Sequence, residues 1–391
     1  MQNEIYLDNS ATTRQYDEVT ALVAEAAANT YGNPSSLHRK GIEAEKLVAA
    51  ARETIAASFG AEPKEIIFTS GGTESNNLAI KGYLDANPRK GKHIITTKIE
   101  HPSVLELYKH LESCGYDVDY IGVDGSGRIL LDELKAKIRT DTALISIILV
   151  NNETGVIQKA AEIAAIRDRG NPQTVILLDA VQAYGKMQIN PARSGIEMIS
   201  VSSHKIHGPK GIGALYASKK IRLKPLLFGG GQESLLRSGT ENVPGIAGFG
   251  LAAKLTFEKL EESHAKVAGL KKRFVGLLEE TDLTYKINSP ADTSPFILNI
   301  AFDNLRAEVL LHHLEQKGIY VSTGSACSSH KNTRSHVLSA MELPQQLIDG
   351  SIRFSFSGYN TEEEIETTVE ALKEIIPLIE INRKQKLRRQ Q

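Results

Sequence analysis

Met198-Ile199-Ser200-Val201-Ser202-Ser203-His204-Lys205-Ile206-His207-Gly208-Pro209-Lys210-Gly211 decides how this chain is folded. A short apolar run ends in hydroxyls, a histidine and a lysine, and Gly and Pro then stop any regular element. Similar runs precede it: Ile66-Ile67-Phe68, His93-Ile94-Ile95-Thr96, Leu144 to Val150 and Val175 to Leu178. None alternates apolar with polar, so each reads as a strand buried on both faces. Between them, 75–84, 104–113, 132–138 and 161–168 have helical spacing. Strands spaced by helices give an α/β unit with a mostly parallel sheet.

The pattern changes near residue 254. The spacing predicts one long helix over 254–280, a strand over 296–301, a helix over 306–316, strands over 319–322 and 352–356, and a helix over 362–376. This is a smaller α+β unit at the C-terminal end. We place the large unit at residues 15–253 and the small one at 1–14 and 254–391. No Pro/Gly-rich linker separates them, and no repeat or low-complexity segment interrupts either.

The 391 residues carry 46 Lys+Arg against 47 Asp+Glu, a net charge of −1, which argues against a dedicated nucleic-acid binder. The N-terminus lacks the basic and apolar regions of a signal peptide, and no run of 18 apolar residues is present. Two cysteines, Cys114 and Cys327, are too few for a disulfide framework or a four-ligand zinc site. A reducing cytoplasm is the compartment expected. The tail after Asn382 holds Arg383, Lys384, Lys386, Arg388 and Arg389, either a solvated helix end or a basic arm for nucleic acid or an acidic partner.

The chemistry is concentrated where strands end. Lys205 reads as a lysine that forms a Schiff base with an aldehyde, or as an ordinary surface-loop lysine. Phe68-Thr69-Ser70-Gly71-Gly72-Thr73 turns a strand into a helix start, which suits a phosphate but also describes many βα turns. It lacks the Gly-Lys-Ser/Thr ending of a nucleotide loop. Asp179 closes an apolar run and either pairs with a ring cation or caps a helix. Together, a lysine for an aldehyde, an aspartate for a pyridinium nitrogen and a phosphate turn describe pyridoxal 5'-phosphate. Glu100-His101-Pro102 adds an imidazole, and Asn151-Asn152-Glu153-Thr154-Gly155 an amide. Cys327, within Ser322-Thr323-Gly324-Ser325-Ala326-Cys327-Ser328-Ser329, lies in a small-residue polar segment suited to a reactive thiol. Cys114, near a helix C-terminus, is expected to pack.

Tyr6-Leu7-Asp8-Asn9-Ser10-Ala11-Thr12-Thr13, Tyr31-Gly32-Asn33-Pro34-Ser35-Ser36, Gly72-Thr73-Glu74-Ser75, Ser203-His204-Lys205 and Gly324-Ser325-Ala326-Cys327-Ser328-Ser329 resemble the cysteine desulfurases. These are class V aminotransferases of fold-type I, dependent on pyridoxal phosphate. The resemblance runs in order over nearly the whole chain. It implies that Lys205 binds the cofactor covalently, that His101 stacks on it as acid/base, and that Asp179 and Gln182 hold its pyridine nitrogen and phenolic oxygen. Gly72, Thr73, Ser202 and His204 would hold the phosphate, joined by Thr240 of the partner subunit in a homodimer. Asn152 and Arg353 would bind the substrate carboxylate.

Cys327 would be the nucleophile, taking sulfur from L-cysteine as a persulfide and leaving L-alanine. The sulfur would pass to an acceptor protein for iron–sulfur cluster assembly or tRNA thiolation. No intrinsic metal is implied, although Cys327 could serve as a transient iron–sulfur ligand with a scaffold partner. The alternatives are a selenocysteine lyase or other β-eliminating lyase, and a sulfur-relay scaffold with low turnover of its own. No membrane or direct nucleic-acid partner is expected. The chain departs from the family's usual pattern at Ser234-Leu235-Leu236-Arg237, at Phe356-Ser357-Gly358-Tyr359-Asn360 and at His330-Lys331-Asn332-Thr333-Arg334, which bears on substrate fit and acceptor.

Overall fold

A computed structural model describes residues 4–303, 305–323 and 334–390, with side chains described to residue 380. Twelve strands are formed among them: β1 (Ile5–Tyr6), β2 (Ile66–Thr69), β3 (His93–Thr97), β4 (Asp117–Ile121), β5 (Thr142–Ile148), β6 (Val175–Asp179), β7 (Met198–Ser202), β8 (Gly213–Ala217), β9 (Tyr285–Ile287), β10 (Ile297–Phe302), β11 (Ile319–Tyr320) and β12 (Ser351–Ser355). Seven make one sheet in the order β2-β8-β7-β6-β5-β3-β4. Its pairs are parallel except where β8 meets β2 and β7. Every residue of β5, β6 and β7 is buried, which explains their unbroken apolar runs.

Two strands of this sheet escape the sequence pattern for physical reasons. β4 lies at the sheet edge and is half-exposed, so it carries Asp117 and Asp119 between its apolar residues. β8 returns antiparallel after the Gly208–Gly211 turn. Its Gly213 lies against the turn after β2: a Cβ there would stand 2.7 Å from the Gly71 Cα.

The helix expected over 254–280 is two helices, Val243–Glu258 and Leu260–Glu279, broken at Lys259. No Gly or Pro marks the break, because two packing duties cause it. The first helix packs on Asp17–Asn29 and Arg39–Phe59 of the sheet's outer layer. Gly250 lets it approach closely, since a Cβ there would meet Ala51 at 2.7 Å. The second helix packs on Glu362–Gln390 and places Phe274 against Phe354 of β12, ring centroids 4.8 Å apart.

The antiparallel sheet β12-β10-β9 and the parallel pair β1-β11 complete the fold. Single bridges join Asp8 and Ser322 to β12, at Ser355 and Arg353. The N-terminal segment is thereby held among the C-terminal strands and delivers residues 8–13 to the edge of the large sheet.

Candidate active site

β2, β3, β5, β6 and β7 point the same way, so their carboxyl ends open on one edge, where ligand crevices of α/β sheets lie. β6 ends at Asp179, which is 3% exposed. Its Oδ1 accepts from the Val181 amide at 3.0 Å and its Oδ2 from the Asn76 side chain at 2.8 Å. β2 runs into Ser70-Gly71-Gly72 and the helix Gly72–Asn77. Gly71 has φ 152°, a conformation that favours glycine. A Cβ on Gly72 would stand 2.7 Å from Val181 Cγ2, so this turn is pressed against the loop after β6.

After β3, His101 caps the helix Pro102–Ser113: its Nδ1 accepts from the Ser103 amide at 3.1 Å and lies 2.9 Å from Ser103 Oγ. Burial is the main force holding its pKa below the ordinary histidine value; Asp179 opposes it, while Lys205 and His336 reinforce it. Glu100 beside it is fully buried, with Oε1 accepting from Thr97 Oγ1 at 2.6 Å and the Ile148 amide at 2.9 Å. Burial pushes this carboxyl up to about 8, so it is largely protonated at neutral pH. After β5, Asn151 staples the loop, donating to Ile99 O at 3.1 Å and accepting from the Glu153 and Thr154 amides.

Lys205 follows β7 in a short 3₁₀ turn. Its Nζ donates to Ser10 O at 2.5 Å and to Ala11 O at 2.8 Å. His204 Nδ1 lies 3.1 Å from Thr12 Oγ1, and burial with nearby Lys205 takes the ring down to about 4, leaving it neutral. Gln182 donates to Ser10 O at 2.8 Å and accepts from Lys186 Nζ at 3.1 Å. Arg353, 4% exposed in β12, donates from Nη2 to Asp8 Oδ1 at 2.7 Å and from Nη1 to Asn152 O at 2.9 Å. Its Nε is buried without a hydrogen-bond partner.

Lys205, His101, Asp179, Asn152, Gln182, Ser202, His204, Gly72 and Thr73 thus all lie at or just beyond these strand ends. Thr240 is exposed on the loop before Val243. Cys327 lies outside the described residues. Cys114 does not pack as expected: it is exposed, with Sγ 3.6 Å from His110 Nε2. The apolar stripe Val104, Leu107, Tyr108 and Leu111 ends one turn earlier, and Gly115 at φ 83° turns the chain away.

Three features escaped the sequence analysis. The 8–13 loop supplies Lys205's carbonyl partners and Arg353's carboxylate, a placement set by contacts up to 345 residues apart. Asn76 touches Asp179 from the helix after β2. Lys186 is buried at 9% exposure, and burial, helped by Lys205 and Arg353, lowers its amine to about 7. A cavity of about 270 Å³ lies on this side, lined by Lys186, Lys205, His207, Phe296 and Tyr359. Lys205 belongs both to this lining and to the strand ends, whereas Asp179 and His101 do not line the cavity.

The aminotransferase class-V family model matches residues 5–368. A cysteine desulfurase of Trichormus azollae is 45% identical over 95% of this chain and 92% of its own length. The cysteine desulfurase IscS of Dictyoglomus turgidum is 42% identical over 96% and 95%. Among solved structures, a NifS-like protein superimposes with a TM-score of 0.91 at 39% identity, covering 96% of this chain and all of that one. SspA in complex with cysteine gives 0.81 at 34% identity, over 91% of this chain and all of that one. The chain belongs to the aminotransferase class-V family, whose cysteine desulfurases depend on pyridoxal phosphate. The fold is that of the fold-type I enzymes.

Proposed function

We propose that the protein is a pyridoxal-phosphate-dependent cysteine desulfurase in which Lys205, Asp179, His101 and Arg353 form the site and Cys327 receives the sulfur. Near-full-length likeness to cysteine desulfurases supports the activity. The observation that carries the site assignment is the meeting of an amine, a buried carboxylate and a glycine turn along one edge of the sheet, at the ends of β7, β6 and β2.

The residues fit the cofactor chemically. The amides of Gly72 and Thr73 open a helix, where N–H groups lack intrahelical partners and favour a phosphate. Ser202 Oγ lies 3.8 Å from where a Gly71 Cβ would stand, and His204 follows on the same loop. Asp179 is acceptor-only when ionised and suits a protonated ring nitrogen. Once bound, the cofactor supplies an aldehyde for amines and an electron-withdrawing ring.

The chain's own groups do the rest. Arg353 holds the substrate carboxylate through its Nε, which has no hydrogen-bond partner, and a fork that lysine cannot copy. Asn152, whose carbonyl already holds Arg353, flanks the same carboxylate. Lys205 moves the α-proton, and neutral His101 exchanges a proton at Nε2. The Cys327 thiolate attacks the substrate sulfur. An S–S bond forms as the substrate C–S bond breaks, leaving L-alanine and a Cys327 persulfide. Thr240 of a second copy completes the phosphate site in a homodimer. The large unit at 15–253 carries the cofactor, and 1–14 with 254–391 carries Cys327. An acceptor for cluster assembly or tRNA thiolation in the cytoplasm takes the sulfur.

The test compares alanine release from cysteine and selenocysteine, followed by alkylation and mass spectrometry of the Cys327 peptide. Alanine from cysteine with one extra sulfur on Cys327 supports the proposal. Turnover of selenocysteine alone would replace it with the lyase. Turnover that begins only when an acceptor is added would favour the relay.

A further inference from the structure

Asn76 belongs to the helix after β2, yet its side chain lies between two other loops. Nδ2 donates to Asp179 Oδ2 at 2.8 Å and to Ser103 Oγ at 2.9 Å. The residue is fully buried, and its Oδ1 has no hydrogen-bond partner. The amide orientation follows from its neighbour: an ionised carboxylate only accepts, so the nitrogen must face Asp179. Ser103 Oγ, accepting from Asn76, keeps its own hydrogen for His101 Nδ1 at 2.9 Å. That nitrogen also accepts the Ser103 amide at 3.1 Å. Two donors aimed at one ring nitrogen require its lone pair there and place the histidine proton on Nε2.

We propose that Asn76 and Ser103 are positioning residues that join Asp179 to His101 in one hydrogen-bonded chain, setting the direction of the carboxylate and the Nε2–H tautomer of the imidazole together. The proposal rests on the assignment of Asp179 and His101 to the cofactor site. It goes further in making two side chains on different elements a single unit, with Asn76 of the helix after β2 as the link. A carboxylate held at both oxygens, Oδ1 by the Val181 amide and Oδ2 by Asn76, need not reorient when a ring cation arrives. Of the groups that face His101, Asp179 favours its protonation, while Lys205 and His336 oppose it. Donation from Ser103 to Nδ1 stabilises the neutral ring further.

The test uses Asn76→Ala, Ser103→Ala, Ser103→Thr and the double alanine variant in the full chain. In cofactor-free protein, carbon and nitrogen chemical shifts of the ring report the His101 tautomer and titration. Either alanine variant should raise the His101 midpoint by roughly 0.5–1 pH unit, because a donor to the neutral form is lost or loosened. Ser103→Thr, which keeps the hydroxyl, should restore it. In cofactor-loaded enzyme each alanine variant should lower kcat by about tenfold, the size of one charge-assisted hydrogen bond, with KM for cysteine little changed. The double variant should be no worse than either single one, because both cut the same chain. An unmoved His101 titration, or losses that add, would overturn the proposal even in an active desulfurase. A moved titration in a protein without desulfurase activity would instead remove the functional assignment and leave the chain intact.

Discussion

The strand ends of the large sheet and the crossing of residues 8–13 with β12 contribute to the same site by opposite means. At the strand ends each of these side chains has a partner within three residues, His101 in Ser103, Asp179 in Val181, Asn151 in Glu153 and Thr154, beside longer reaches such as Asn76 to Asp179. At the crossing, Lys205 and Arg353 find partners 194 and 345 residues away. The first kind of contact is written in short motifs. The second exists only after β1 has paired with β11 and Asp8 has reached β12.

That difference explains what the sequence revealed. The buried parallel strands were legible because they lack alternation, and their ends carried Lys205, Asp179, His101 and the Gly71-Gly72 turn in compact strings. The edge strand β4 and the returning β8 were not, since one is half-polar and the other comes straight after the Gly208–Gly211 turn. The break at Lys259 has no local signal. Asp8, Asn76 and Lys186 were invisible as site neighbours because ordinary residues gain their meaning from elements far along the chain. Cys114 was misread because the stripe that should bury it stops at Leu111.

The largest expected effect tests the crossing. Arg353→Lys should raise KM for cysteine on the order of 10–100-fold, because a single ammonium cannot replace the planar fork. An unchanged KM, measured by steady-state alanine release, would reduce Arg353 to a structural partner of Asp8.

At the strand ends, Glu100→Gln tests a buried acid. Its folded pKa of about 8 lies above the unfolded value, so the folded state binds the extra proton. Its contribution to stability is complete below the unfolded pKa and is lost as pH rises through about 8. Denaturant titrations should show wild-type stability falling over that window relative to Glu100→Gln. Parallel curves would mean that Glu100 is ionised in the native protein.

A smaller effect is expected at residues 233–235, before the helix Val243–Glu258. Glu233, Ser234 and Leu235 adopt φ of 47°, 55° and 68°. Arg52 pins Glu233 with two 2.8 Å bonds, and Arg237 holds Glu74 at 2.9 Å on the far side. Leu235 is 66% exposed, so little packing offsets its left-handed backbone. Leu235→Gly should therefore stabilise by about 0.5–1 kcal/mol, the left-handed penalty less the entropy of glycine. A fall in Tm would show that Leu235 makes a contact worth more than its strain.

The smallest effect belongs to Cys114→Ser, which should leave stability within about 0.5 kcal/mol and activity unchanged, as for an exposed side chain outside the site. Thermal melts and alanine release check both.

The most direct test of the account is borohydride reduction of the cofactor-loaded protein followed by peptide mapping. Two buried or half-buried amines compete in this neighbourhood: Lys205, on the carbonyls of Ser10 and Ala11, and Lys186, lowered to about 7 by burial. The strand-end arrangement predicts the pyridoxyl group on Lys205 alone, with Lys205→Ala leaving no covalent label. A label on Lys186, or on any lysine away from the end of β7, would contradict the assignment of the site.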